Sequence, residues 1–414
     1  MTISNWDDRP YDIIIFGATS FVGQILTRYM QNSYGLGQGL NWAIAGRSER
    51  KLKELTDGLG IATADLPAFV GDAADPEFLN DIAAKTRVII TTVGPYALYG
   101  NEMVEACAKQ GTDYCDLTGE VQWMNRMIPL HNDTAKETGA RIVHTCGFDC
   151  IPTDLGTHFL QRAAMAKFGQ PVTDIKMRVH GMRGGMSGGT AASMINMMKE
   201  VGEDPSLRTV LSDHYSLVMD DAQKGPPQKN PGILAKDTVT GSWIAPFMMA
   251  GIDTRVVHRS NALSGMSYGQ DFTYEEAMIV GEGVKGAVGG VGLAIGMGAF
   301  LGLAAFSPTR KLLEKFILPK PGEGPSPEAQ ENGYFDIRFY GTTADGQKIN
   351  AKVTGDRDPG YGSTAKMLGE SALCLLRDVD RSHSGGGLFT PAHAMGDALI
   401  ERLQKNAGLT FDII

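Results

Sequence analysis

The sequence predicts an α/β protein, a doubly wound parallel sheet followed by a second α+β domain with a mixed or antiparallel sheet. Three observations predict it. Residues 12–147 alternate short apolar β-type runs with helical segments, the pattern of parallel strands joined by crossover helices. The first of those runs, Ile13–Phe16, is apolar on both faces, as a strand covered by helices on both sides must be. From Asp174 to His180 apolar and polar residues alternate instead, which suits a strand with one wetted face.

Each element of the first half follows in order. Ile13–Phe16 breaks into Gly17-Ala18-Thr19-Ser20-Phe21-Val22-Gly23, and a helix then runs from Val22 to Met30. Gly17 permits a tight turn, and Gly23 lets the helix pack close to the strand. The helix-start amides of this segment, Gly17 to Gly23, can receive a pyrophosphate, helped by the positive end of the helix dipole. Strand, glycine turn and helix together open a Rossmann-type dinucleotide-binding unit. Ser20 stands where a middle glycine is common and adds a hydroxyl donor. The bland alternative is a glycine turn that binds no nucleotide.

The second strand, Trp42–Arg47, ends in Arg47 and Ser48. An NAD enzyme places a carboxylate there for the ribose 2′-hydroxyl, whereas arginine suits a 2′-phosphate. NADP(H) is therefore the expected cofactor. A third strand, Pro67–Val70, ends in Gly71-Asp72; Asp72 falls where a polar side chain meets adenine, or where the helix from Pro76 needs an N-cap. The fourth strand, Val88–Val93, ends in Gly94-Pro95-Tyr96, and Val93, Gly94 and Pro95 are expected against the nicotinamide. Tyr96 either points beside the nicotinamide or packs as a core aromatic. A helix over Gly100–Gln110 and strands at Asp113–Leu117 and Arg141–Thr145 complete the sheet. Asp149 follows, with a helix starting near Pro152; its carboxyl either moves a proton or caps that helix. Cys150 reads as a small buried apolar residue.

The second half is expected to carry a helix over Thr190–Val201, with a Ser187-Gly188-Gly189-Thr190 start that either caps it or holds an anionic group. Pro205–Asp237 reads as helix plus irregular chain, and Met248-Met249 as core or as the lining of a lipid-shaped pocket. Gly286–Phe306 is a run of 21 residues without a charge, flanked by Lys285 and by Arg310-Lys311. A bilayer span, a hairpin at a membrane surface, a helix packed on a second copy of the chain, and a buried soluble helix all remain open for it. Leu318–Gly333 reads as a surface loop, Tyr334–Gly341 and Gln347–Thr354 as an antiparallel pair, and Ser363–Leu376 and Ala392–Gln404 as helices. The domain boundaries implied are 1–155, 156–360 and 361–414, the last packing back on the first.

Bulk composition limits the partners. The 414 residues carry 38 basic and 47 acidic side chains, a net charge of −9, so nothing favours nucleic acid. Five cysteines without a CxxC pair, behind a polar acidic start, predict reduced thiols in a cytoplasm and no metal site. A small-molecule or lipid-like substrate is expected, with peripheral membrane contact through 286–306 and a homodimer as open associations.

Several motifs taken together resemble the saccharopine dehydrogenase-like oxidoreductases: GATSFVG, AGR, VGPY, CDLTGE at Cys115–Glu120, GFDCIPTDLG, SGGT, the PKPGEGPS loop, and the segments Gly360–Leu373 and Leu388–Leu403. Within that family the sequence is most similar to the trans-acting enoyl reductase branch. The resemblance implies an NAD(P)-binding domain, a mixed second domain and hydride transfer to a carbon–carbon or carbon–nitrogen double bond. It carries no catalytic motif, so Tyr96 and Asp149 remain the proton-donor candidates. A non-catalytic NADP-binding scaffold is the rival from another class. True saccharopine reduction would need several converging cations, for which Arg178 and Arg183 are a thin set.

Overall fold

The computed structural model describes residues 5–62, 65–185, 187–305, 309, 320 and 322–414. The chain opens with β1 (Tyr11–Phe16), α1 (Phe21–Tyr34), β2 (Trp42–Gly46), α2 (Glu49–Gly58), β3 (Ala68–Val70), α3 (Pro76–Lys85) and β4 (Thr86–Thr91). A single turn, α4 (Tyr96–Tyr99), then precedes α5 (Asn101–Gln110), β5 (Asp113–Cys115), α6 (Val121–Thr138) and β6 (Arg141–Val143). α7 (Ile151–Phe168) crosses to the second half. There the order is β7 (Val172–Arg183), α8 (Gly188–Glu203), α9 (Leu207–Ser212), β8 (Ala235–Lys236), β9 (Trp243–Pro246), α10 (Ala250–Leu263), β10 (Thr273–Gly281) and α11 (Gly283–Ala305). β11 (Tyr334–Thr343) and β12 (Lys348–Gly355) precede a helix at Thr364–Arg377, β13 (Gly387–Phe389), a helix at Pro391–Asn406 and β14 (Leu409–Ile413).

The first sheet has the order β13-β6-β5-β4-β1-β2-β3, every pair parallel. β1 lies inside it between β2 and β4, with Ile13 opposite Trp42 on one side and Val88 on the other. Ile13, Ile14 and Ile15 are fully buried because helices cover both faces. The crevice at the carboxyl ends of β1 and β4, where the strand order reverses, is the switch point at which such sheets take ligands.

The second sheet has the order β14-β12-β11-β7-β10-β9-β8 and is mixed: β7 and β10 run parallel, and the other pairs are antiparallel. Ile175, Met177 and Val179 of β7 face the core, as the alternating pattern requires. Arg178 breaks that pattern. It is buried because its guanidinium pairs with Asp237 and Glu275. α7 packs on the covered face, and a Cβ at Gly156 would sit 2.4 Å from the Phe339 ring.

The strands β8, β9, β10, β13 and β14 are not among the elements the sequence predicts. β13 adds to the first sheet beside β6, held by Arg141, which pairs with Asp113 and donates to the carbonyls of Leu375 and Val379. β14 adds to the second sheet beside β12. Between them, helices Thr364–Arg377 and Pro391–Asn406 pack on each other, and Glu370 accepts from the Tyr29 and Tyr34 hydroxyls of α1 and from Arg402.

α11 packs through its first turns, where Gly286 touches Gly281 and Gly290 lies against Leu234 and Val280. Beyond them Gly292, Gly296, Gly298 and Gly302 face open space, and Val288, Ile295 and Leu303 are exposed. Among the described residues no helix is long and apolar enough to cross a membrane. Phe306, Arg310 and Lys311 lie outside the described residues.

Candidate active site

The glycine turn is closed by side chains as well as by glycines. Gly17 has φ +86°, and a Cβ there would lie 2.7 Å from Val93 Cγ2 and 2.8 Å from Thr92 Oγ1. A Cβ at Gly23 would stand 2.2 Å from the Gly17 carbonyl oxygen. Neither position admits a side chain. Ser20 is the N-cap of α1: its hydroxyl accepts from the Gly23 amide (2.9 Å) and meets Thr92 Oγ1 (2.8 Å). Thr92 in turn donates to the Gly17 carbonyl (2.9 Å). The serine hydroxyl therefore builds the turn, and the contact to a phosphate falls to backbone amides. Those of Phe21 and Val22, in the first turn of α1, have no intrahelical acceptor and carry the positive helix end. Ala18 is buried, while Thr19 stays half-exposed with Oγ1 near Gly46.

At the end of β2, Arg47 is exposed, and no hydrogen bond to it is found among the described residues. Ser48 caps α2. At the end of β3 Asp72 is also exposed, and its carboxylate accepts from the Ala74 amide in a local turn. It does not cap the following helix; Asp75 does, accepting from Glu77 and Phe78. Cationic Arg47, the unpaired amides and the Cβ-free cradle fit a dinucleotide with a central pyrophosphate and a further phosphate on its ribose.

The reaction end is assembled from the loops after β4, β5 and β6. Val93 packs on Gly17, and the backbone of Gly94 is exposed, joined to Pro95 by a cis peptide. Tyr96 turns inward. Its hydroxyl donates to the Thr91 carbonyl (3.1 Å) and accepts from the Leu117 amide (3.3 Å), while its ring lies on Trp123. Its hydroxyl is thus engaged within the fold, and burial pushes the phenol well above its ordinary range. It is a packing aromatic.

Glu120, just before α6, lies against the Tyr96 turn. Its carboxylate accepts from the Tyr96 amide (2.8 Å), the Ala97 amide (2.9 Å) and the Ser193 hydroxyl of α8 (2.9 Å). Asp116 aims this loop. It accepts from the Thr118 and Thr145 amides and from the Tyr114 hydroxyl, and meets His144 Nδ1 at 2.7 Å. Burial raises the Glu120 carboxyl from its ordinary value. Ser193 also lies 3.8 Å from a Cβ placed on Gly94, so the second domain reaches the cofactor crevice through α8.

Asp149 arrives from the loop after β6. Its side chain is partly exposed, and a Cβ built on Gly119 would lie 3.2 Å from Oδ2. It is not a helix cap: Cys150 holds the N-cap position of α7, without a side-chain capping bond. Burial pushes the Asp149 carboxyl up to about 7, and no protein hydrogen bond to it is found among the described residues. Cys150, with φ +88°, and Thr145, with φ +62°, both adopt backbone that L-residues rarely hold. Ser187 is the plain N-cap of α8, accepting from Thr190.

Over 409 residues the chain is 42% identical to a protein of Mycobacterium tuberculosis provisionally named a trans-acting enoyl reductase, covering 95% of this chain and 96% of that one. A trans-acting enoyl reductase of Mycobacterium ulcerans is 38% identical over 407 residues, with 96% of each chain covered. The chain belongs to the saccharopine dehydrogenase-like family. Residues 13–143, from β1 to the end of β6, match the profile of the saccharopine dehydrogenase NADP binding domain. The fold agrees with apo saccharopine dehydrogenase (L-Glu forming) from Saccharomyces cerevisiae, at a TM-score of 0.52 and 12% identity over 98% of this chain and 100% of that one.

This saccharopine dehydrogenase-like chain is an NAD(P)-dependent oxidoreductase. The matched region contains the glycine turn, Arg47, Gly94 and Glu120, but stops before Asp149 and Ser193. Those two sit where the first domain hands over to the second. Glu120 and Ser193 escaped the reading of the sequence because neither has a local signature. Only the folded chain brings a glutamate before α6 to a serine one turn into α8.

Proposed function

We propose that the protein is an NADPH-dependent enoyl reductase that saturates a carbon–carbon double bond conjugated to a carbonyl in an apolar, lipid-like substrate. The observation that carries this reading is Asp149: a partly exposed carboxyl beside Gly119, without a protein hydrogen bond among the described residues, and pushed up to about 7 by burial. An acid that titrates close to the working pH is both populated in its protonated form and able to release the proton. When bound, the cofactor supplies a hydride to the carbon β to the carbonyl. Asp149 gives its proton to the α-carbon, and the carboxylate left behind is reprotonated from water. The amides of Phe21 and Val22 hold the pyrophosphate, Arg47 holds the 2′-phosphate, and Gly94 leaves room for the nicotinamide beside Ser193.

The names of the mycobacterial relatives support the reaction class. α8 supports an apolar substrate, since Met194, Ile195, Met197 and Met198 are only half-buried on the helix that overhangs the crevice. Saccharopine-type imine reduction is disfavoured because Arg178, one of the two cations it would need, is locked between Asp237 and Glu275. A lipid-like substrate also gives a role to the outer half of α11, whose exposed valine, leucine and isoleucine side chains suit contact with a lipid surface. Co-sedimentation with vesicles, lost on deleting 286–305, is the expected result there.

The deciding experiment titrates the protein with NADPH and NADH by nucleotide fluorescence, beside Arg47→Glu, and then follows NADPH oxidation with a short 2-enoyl thioester. NADPH binds more tightly than NADH, and Arg47→Glu weakens NADPH roughly 100-fold, in line with loss of charge-assisted bonds to phosphate. Binding without oxidation of any enoyl substrate favours the scaffold. Binding of neither nucleotide overturns both.

A further inference from the structure

A second chemical feature lies away from the crevice, inside the second domain. A cavity of about 320 Å³ is lined by Pro231, Ile233, Pro246, Phe247, Ala250 and Thr254, with His214, Lys229, Asn230, Glu275 and Glu276 as its polar groups. Its size is within the range of small-ligand sites, roughly 300–1,000 Å³. Glu276 is 1% exposed: Oε1 accepts from the Tyr274 hydroxyl (2.8 Å), while Oε2, on the side chain that neighbours the Asp253 carboxyl, has no hydrogen-bond donor among the described residues. A buried polar atom left unpaired beside a cavity calls for something within that cavity.

We propose that this cavity binds a neutral, mainly apolar molecule carrying one hydrogen-bond-accepting oxygen, such as a medium-chain ketone, aldehyde or ester, held through that oxygen by Glu276. This goes beyond the reductase reading and does not depend on it. The charge around the cavity favours a neutral occupant. Arg178 is matched by Asp237 and Glu275, leaving one negative charge that Lys229 offsets. His214 is kept neutral, its pKa lowered by burial and by nearby Arg255. Glu276 faces Asp253, itself buried beside Cys150, and the two acids cannot both ionise there. Burial pushes the Glu276 carboxyl up to about 8, so it holds a proton to donate. The wall opposite is hydrocarbon and proline, which suits a chain rather than a sugar or nucleotide.

Titration of the full-length protein with 2-nonanone and with nonanoate, followed by calorimetry, tests the proposal on wild type, Ala250→Phe, Glu276→Leu and Glu276→Gln. The expected result is saturable one-to-one binding of 2-nonanone. Ala250→Phe abolishes it by filling the cavity, Glu276→Leu weakens it at least tenfold, and Glu276→Gln retains it because the amide still donates. Circular dichroism and NADPH binding, measured on each variant, separate misfolding from a local loss. No saturable binding of 2-nonanone to wild type overturns the proposal, as does binding indifferent to both Ala250→Phe and Glu276→Leu. Binding of nonanoate alone overturns it in favour of an anion site at Lys229. Failure to bind NADPH with 2-nonanone binding intact condemns the cofactor reading and leaves this one standing.

Discussion

At the phosphate end of the crevice, Gly17, Ser20 and Gly23 lie within seven consecutive residues and act through backbone shape and amides. At the proposed reaction end, Gly94, Glu120, Asp149 and Ser193 come from four separate segments, and the last three offer side chains. The first arrangement depends on close approach, where a single methyl group is intolerable. The second depends on how burial and domain contact tune carboxyl groups. Binding and chemistry are therefore separable by mutation.

The largest expected effect breaks the reaction end alone. Asp149→Asn lowers enoyl turnover by about 10²- to 10⁴-fold, the usual worth of a general acid, with NADPH affinity unchanged. Wild-type turnover falls as pH rises through about 7, because the acid must be protonated, and the variant loses that limb. The same shift has a stability counterpart. A carboxyl raised from 3.8 to about 7 contributes stability that is complete below 3.8 and is lost as pH rises toward 7. Thermal melts at pH 8 should place Asp149→Asn above wild type by roughly 1–3 kcal/mol. Unchanged turnover would remove Asp149 from the mechanism.

Gly23→Ala breaks the phosphate end instead. With a Cβ 2.2 Å from the Gly17 carbonyl, the turn must open, and NADPH affinity should fall by about 100-fold or more. Fluorescence titration checks this, and retained affinity would mean that the turn yields where close packing says it cannot.

Two smaller changes sharpen the contrast. Ser193→Ala deletes the hydroxyl that α8 gives to Glu120, costing about 1–2 kcal/mol, and should raise the KM for substrate more than that for NADPH. Tyr96→Phe removes hydrogen bonds to Thr91 and Leu117, so a loss of about 1 kcal/mol in denaturant melts is expected, with turnover nearly intact. A collapse of turnover in Tyr96→Phe would reverse the assignment made here for the proton donor.

The same contrast explains what could be read from the sequence. The glycine turn and the strands β1, β2 and β4 were legible because buried parallel strands leave unbroken apolar runs and the turn is contiguous. Arg47 was legible as an exposed cation at a known strand end. Asp149 was visible as a residue, but its state was not, since desolvation depends on Gly119 and on loops far away in sequence. Tyr96 has the same neighbours in sequence whether it faces in or out; the donor at Leu117 decides it. β13 and β14 are three and five residues long, and at edges they carry too little pattern to be distinguished from loop.

Those two edge strands have a bearing on biosynthesis. β13 seals one side of the first sheet and β14 one side of the second, and only one helix separates them in the chain. A nascent polypeptide that has already formed both sheets still displays two rows of unpaired amides and carbonyls, inviting each partial product to pair with its neighbour. Ribosome stalling or proteolytic clipping upstream of Gly387 should thus yield aggregates rather than a half-active enzyme.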